Sequence, residues 1–444
     1  MHKNHVLHQI VRKQKAKIPQ GIYSVCSANE FVIEAALEYG GRKNMPVLLE
    51  ATSNQVNQFG GYTGMNPHDF KKYVFAIATK VGFPVGSIIL GGDHLGPNPW
   101  KGENSKSALT KACKMVEDYV LAGFTKIHLD ASMHLGDDEG PGNKALDPEI
   151  VADRTALLCV AAEEAYQRLL ETETLAAPPI YIIGSEVPAP GGTQEDLNEL
   201  SVTKPEDLHQ TIMLTRQAFS KNGLLDAWSR VVGVVVQPGV DFSDQKIHEY
   251  DSTRAQLLVR QLDQYPNLVF EGHSTDYQQP HNLKKMVEDG VAILKVGPEL
   301  TFAFREALFS LHYMEEELFP NPEIKKSNLL SVVDGVMLGE PGNWHPYYKG
   351  SEEQLQFSRK YSLSDRIRYY WPHPKVTEAI ATLFANLNSV DIPLTLLSQC
   401  FPVQYEKVRM GVLDNSPEAL LKDRIARIVD KYYFATQPQK EQLD

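Results

Sequence analysis

Through the first 300 residues, short runs of Val, Ile and Leu alternate with longer stretches in which apolar residues recur at three- and four-residue steps. The runs are GIYSVCS at 21–27, PVLLEAT at 46–52, SIILGGDH at 87–94, KIHLDAS at 126–132, PIYIIGSE at 179–186, RVVGVVVQ at 230–237, NLVFEGHS at 267–274 and VAILKVG at 291–297. Each is apolar enough to be a strand buried on both faces. Between them, NEFVIEAALEYG, PHDFKKYVFAIATKVG, SKSALTKACKMVEDYVLAG and PHNLKKMVEDG carry the helical period and end on Gly, as helices commonly do. Strand and helix alternate throughout, which permits parallel crossovers.

Eight such units predict an α/β fold, a (β/α)8 TIM barrel. An open doubly wound sheet explains the alternation as well, but it gathers its site residues at one switch point. Here polar residues stand at nearly every strand end: Glu50, Asp93, His94, Asp130, Glu186, Gln237, His273 and Lys295. That is where barrels place their chemistry. The basic first nineteen residues read as a short amphipathic helix leading into the first strand. TFAFREALFSLHYMEEEL reads as the closing helix of a barrel domain over 1–318, and 319–444 as a helical C-terminal extension packed on it.

Composition narrows the function classes. Lys+Arg 44 against Asp+Glu 56 gives a net charge of -12, which disfavours nucleic acid and anionic membranes as partners. A small anion held by a few buried donors remains compatible with it. The scattered cysteines Cys26, Cys113, Cys159 and Cys400 form no CxxC pair and fit reduced thiols in the cytoplasm. No apolar run approaches the roughly eighteen residues of a spanning helix. GxGxxG, GxxxxGK[ST] and HExxH loops are absent from convincing settings, so no nucleotide cofactor is expected.

GGDHLGP places Asp93 and His94 side by side at a strand end. They read as a general acid or base next to a metal ligand, or more plainly as a helix cap and a hydrogen-bonded barrel histidine. Glu186 precedes the stiff loop VPAPGG, and His273 ends the seventh run with Asp276 three residues on, placed to orient an imidazole, cap a helix or bind substrate. His94, Glu186 and His273 together make a set suited to a divalent metal such as Zn or Mn. Glu50 and Asp130 are further catalytic candidates, and the amides Asn54 and Gln55 suit sugar hydroxyls or turns. Lys295 reads as a substrate contact or as the partner of Asp130 in an internal ion pair, and Arg305, in the helix after the eighth run, as part of a phosphate site.

The segments YSVCSAN, EATSNQVNQFGGYTGM, ILGGDHLGPNPW, KIHLDASM, GSEVPAPGG, VVVQPGV, FEGHSTDYQ, ILKVGPELTFAFREALF and SLSDRIRYYWPH resemble the Z-type subunit family of D-tagatose-1,6-bisphosphate aldolase. The resemblance runs from about residue 20 to beyond residue 370. It implies an accessory subunit that supports the activity and stability of a catalytic Y-type class II aldolase subunit in galactitol, N-acetylgalactosamine or tagatose 6-phosphate degradation. Tyr369, Tyr370 and Trp371 are then candidate interface anchors, or core residues. The resemblance also implies an alternative, a metal-dependent ketose 6-phosphate 4-epimerase working by retro-aldol and aldol steps. Asp93 and His94 are similar to the Asp-His pair of class II aldolases. That pattern uses three histidine ligands, however, and the sequence offers His94 and His273 with Glu186 in the remaining place, which counts against aldol cleavage by this chain.

Overall fold

The computed structural model describes residues 5–139, 145–184 and 200–438. Eight parallel strands close into a barrel: β1 Ile22–Val25, β2 Val47–Thr52, β3 Ile88–Leu95, β4 Lys126–Leu129, β5 Ile180–Ile183, β6 Val231–Val236, β7 Val269–Gly272 and β8 Val291–Val296. Each strand neighbours its sequence neighbours, and β1 pairs with β8 in register Ser24 to Lys295, which completes the ring. Seven of them fall inside the apolar runs and β3 passes the end of its run by one residue, Leu95, because strands buried on both faces read as near-continuous apolar stretches.

The N-terminal helix Val6–Lys15 does more than lead into β1. Its apolar face, Leu7, Ile10 and Val11, packs with the inward side chains Ile22, Leu48, Ile180 and Ile293 and stops the end of the barrel opposite the site. Apolar filling at that end and polar filling at the other divide the interior, as expected where one face supplies stability and the other chemistry.

The C-terminal extension is built into the barrel's shell. Its last helix, Pro417–Thr436, lies against the helices Glu30–Lys43, Pro280–Glu288 and Pro298–Leu318. Tyr432 donates its hydroxyl hydrogen to Thr275 O at 2.8 Å, and Gly21 N–H donates to Thr436 O at 2.8 Å. Leu421, Ile425 and Val429 belong to the same continuous core as Val25 and Leu300.

Arg305 corrects an expectation. It sits in the helix Pro298–Leu318 facing the extension, where Nε donates to Asp365 at 3.0 Å and Nη1 to Lys360 O. This buried pair ties the extension to the barrel and turns the guanidinium toward the extension, outside the lining of the pocket at the barrel mouth. The interface-anchor reading of the YYW segment is corrected too: Tyr370 and Trp371 are 2% and 4% exposed and lie in the core, because the short helix Arg366–Tyr370 folds inward over the barrel. Among the described residues, no helix is long and apolar enough to cross a membrane.

Candidate functional site

Alternation along a strand sends residues i, i+2 and i+4 to one face. In KIHLDAS this aims Lys126, His128 and Asp130 toward the site, and in FEGHS it aims Glu271 and His273. Glu50 reaches in from β2 because its neighbour across the ladder is Gly91; a Cβ there would stand 2.6 Å from Glu50 Cγ. The first glycine of GGDHLGP is therefore required by close approach.

These side chains form a closed ionic floor. Lys126 Nζ bridges Glu50 Oε1 and Glu271 Oε2, each at 2.7 Å, while Lys295 Nζ bridges Glu50 Oε2 at 2.7 Å and Asp93 Oδ1 at 2.8 Å. Ser24 donates its hydroxyl hydrogen to Glu50 Oε1 at 2.6 Å. The expected Asp130 to Lys295 pair is not formed. Lys295 is taken by the carboxylates of its neighbouring strands, and Asp130, beyond the end of β4, meets His94 Nδ1 at 2.8 Å and Ser132 Oγ at 2.7 Å.

Three imidazoles stand above this floor, with ring centroids 4.8 Å apart for His94 and His273, 5.1 Å for His128 and His273, and 5.3 Å for His94 and His128. The expected pair of histidines is thus a trio, completed by His128. His94 has φ +47, a left-handed backbone that is uncommon for a side chain of its size and that turns its ring toward Asp130.

The electrostatics divide the imidazoles. Burial pushes His273 down to about 3, so its ring is neutral and available as a ligand. Burial also opposes charge on His94, but Asp93 and Asp130 outweigh it and raise this ring above its ordinary value. Asp93 and Glu271 pay a desolvation cost, yet His94 and Lys295 around the first and Lys126 and Lys295 around the second hold both carboxyls well below the usual range. A carboxylate that acidic is a poor proton acceptor and a good ligand.

Asp93, His128, Glu271 and His273 each offer a donor atom, and these atoms all lie within 4.8 Å of one another. The buried His128 Nε2 has no hydrogen-bond partner among the described residues. Four carboxylates, Glu50, Asp93, Asp130 and Glu271, face two ammonium groups, Lys126 and Lys295, a formal excess of two negative charges in a buried site. Donor chemistry, the orphaned ring nitrogen and the charge balance all fit a divalent cation. Among the expected ligands, His273 belongs to this set and His94 adjoins it, while Glu186 lies outside the described residues.

The pocket above the cluster is lined by Asp93, His94, His273 and Lys295 on the barrel side and by Asn54, Gln55 and Asp276 from the loops. Glu50 and Asp130 lie behind this wall. Asp276 caps the helix after β8, its Oδ1 accepting from Gly297 N and Glu299 N, each at 2.9 Å. Arg368 and Tyr369, from the extension, complete the rim.

Residues 7–437 match the family described as D-tagatose-1,6-bisphosphate aldolase subunit GatZ/KbaZ-like. The chain belongs to this family. It is 48% identical over 432 residues to the D-tagatose-1,6-bisphosphate aldolase subunit GatZ of Salmonella agona (strain SL483), covering 97% of this chain and 99% of that one. The subunit of the same name from Salmonella enteritidis PT4 matches at the same identity and coverage, 48%, 97% and 99%. A crystal structure of a probable tagatose 6 phosphate kinase from Sinorhizobium meliloti 1021 superposes with TM-score 0.84 at 45% identity, covering 94% of this chain and 100% of that one.

Within this GatZ/KbaZ-like chain, the sequence reading left out Lys126, His128, Glu271, Arg368 and, as a pocket residue, Tyr369. The signal for the first three was present: a polar residue at every second position of a run otherwise apolar enough to be buried. Arg368 and Tyr369 carried no such signal, because only the folding back of the extension brings them to the pocket.

Proposed function

We propose that this chain is the Z-type subunit of a tagatose-bisphosphate aldolase, acting in the cytoplasm beside a Y-type class II subunit that performs the aldol cleavage. It supports the partner's activity and stability in galactitol, N-acetylgalactosamine or tagatose 6-phosphate breakdown. The observation that carries this reading is 48% identity over 97% of the chain to subunits of that name. Co-expression tests it. The Y-type subunit should copurify with this chain and lose activity faster without it; a Y-type protein that is equally active and long-lived alone would end the reading.

The buried Asp93, His128, Glu271 and His273 cluster favours a second reading, a metal-dependent 4-epimerase interconverting fructose 6-phosphate and tagatose 6-phosphate. A Zn or Mn ion held by these four residues would polarise a ketose carbonyl. The chain's own groups do the rest. Lys126 and Lys295 fix the carboxylates as anions in one geometry. His94, raised above its ordinary value by its flanking aspartates and lining the pocket, is placed to take a proton from a substrate oxygen and give it back. Asn54 and Gln55 offer amides to sugar hydroxyls. Cleavage of C3–C4 passes the 4-hydroxyl proton to the unprotonated His94 imidazole and leaves an aldehyde and an enediolate; closure on the opposite face of the aldehyde takes that proton back.

NMR-monitored turnover of fructose 6-phosphate and tagatose 1,6-bisphosphate by the isolated chain, with and without Zn²⁺ or Mn²⁺, separates the readings. Tagatose 6-phosphate appearing from the first substrate establishes the epimerase. Silence on both substrates, relieved for the bisphosphate only by a Y-type subunit, leaves the accessory role alone.

A further inference from the structure

Barrels commonly bind a substrate's phosphate at the loops after strands seven and eight, on free N–H groups at a helix start. In this chain that position is already filled. Asp276 accepts from Gly297 N and Glu299 N, Pro298 has no N–H to offer, and Glu299 adds a second carboxylate to the first turn. The barrel's lysine at the pocket is also neutralised: Lys295 is shared by Glu50 and Asp93 at 2.7 and 2.8 Å, with Glu271 at 3.7 Å.

Arg368 differs from these cations. Its Nη1 donates to the carbonyl oxygens of Ser364 and Asp365, and its Nη2 to Tyr369 Oη at 3.0 Å. No carboxylate among the described residues pairs with it; the nearby Asp365 side chain is turned to Thr301 and Arg305, at 2.7 and 3.0 Å. A guanidinium has five N–H donors. Three are used by these neutral acceptors, leaving Nε–H and one Nη2–H. Carbonyls and a phenol orient the group without cancelling its charge.

Its surroundings suit an anion. Tyr369 Oη receives hydrogen bonds from Arg368 and from the Asn54 side chain, which leaves its own hydrogen to donate, while Tyr62 packs edge-on against the Tyr369 ring with centroids 4.8 Å apart. Arg368 and its neighbour Arg366 lower the Tyr369 phenol against the effect of burial, the response of a hydroxyl in a positive field. Arg368 also lines a second cavity of about 510 Å³, which shares Cys26, Gln55 and Tyr62 with the pocket. It therefore borders both spaces.

We propose that Arg368, carried over the barrel mouth by the C-terminal extension, is the receptor for the phosphate monoester of a sugar phosphate, with Tyr369 as its second donor. The assignment deepens the sugar-phosphate reading of this site and moves its anion subsite from the barrel loops to the extension. It gives the extension a part in substrate binding.

Calorimetric titration of the full chain with inorganic phosphate, fructose 6-phosphate and fructose, for wild type, Arg368→Gln and Arg368→Lys, tests it. Fructose 6-phosphate should bind more tightly than fructose, and Arg368→Gln should weaken the phosphorylated ligands by about tenfold or more, the range of a lost charge-assisted hydrogen bond, without weakening fructose. Arg368→Lys should fall between. Because either variant can fail to fold, phenylglyoxal modification of the unaltered chain gives an independent reading: phosphate should protect the Arg368 peptide in mass spectra, and fructose should not. Equal affinity of folded Arg368→Gln for fructose 6-phosphate, or no protection by phosphate, overturns the assignment. Phosphate binding through Arg368 in a chain without turnover keeps the anion site and removes the epimerase reading. Turnover with binding indifferent to Arg368 does the reverse.

Discussion

Lys126 is wholly buried between two carboxylates, a location that is tolerable only while every charge keeps its partner. Replacing it by Met leaves Glu50 and Glu271 to share Lys295. Lys126→Met should cost about 3–5 kcal/mol in urea unfolding, the usual penalty for orphaning a buried charge, and a loss below about 1 kcal/mol would contradict the closed ionic floor. Asp276 makes an opposite kind of prediction. Burial raises its carboxyl to about 7, so the folded chain holds a proton that the unfolded chain releases near 4. The stability from this group is full below about pH 4 and is lost as pH rises through about 7. Asp276→Asn retains an acceptor for Gly297 N and Glu299 N and should flatten that decline, as seen in melting temperatures taken from pH 5 to 8.5. At this scale much of the site was legible. Lys126, His128 and Asp130 are three polar residues at alternate positions in KIHLDAS, and a strand buried on both faces has little reason to carry them except to meet one another inside.

Among the elements, the last helix has the clearest energetic role. Leu421, Ile425 and Val429 are buried against the barrel's own helices, so Pro417–Thr436 acts as one more piece of the outer ring. Leu421→Ala should lower unfolding free energy by about 2–5 kcal/mol, as for other fully buried leucines. A chain ending at Asn415 should unfold less cooperatively or aggregate, because it uncovers the faces of Glu30–Lys43 and Pro280–Glu288; a soluble truncated chain with the full-length melting temperature would contradict this. The helical period announces such a helix in sequence. It does not say which face of the barrel the helix covers, since an amphipathic stripe specifies burial without specifying the partner.

The whole molecule concentrates negative charge where it is least hydrated, four buried carboxylates against two lysines at the site end of the barrel. A divalent cation bound there should stabilise the fold by mass action, about 2.7 kcal/mol at a hundredfold excess over its dissociation constant. Zn²⁺ or Mn²⁺ should therefore raise the melting temperature of the wild-type chain and leave a folded His128→Ala, His273→Ala variant unmoved, with a chelator reversing the rise; equal shifts in both proteins would place the metal elsewhere. Strand number, barrel closure and the polar strand ends were determined by the sequence itself, because period-two and 3.6-residue patterns are local and each strand end must meet its neighbours in a closed ring. The tertiary structure alone decided that His128 completes a histidine trio, that Lys295 answers Glu50 and Asp93 in place of Asp130, that Arg305 serves the extension, and that Arg368 and Tyr369 reach the pocket. Those contacts join residues tens to hundreds of positions apart, and their geometry depends on barrel register and on the path of the returning chain, which no local pattern encodes.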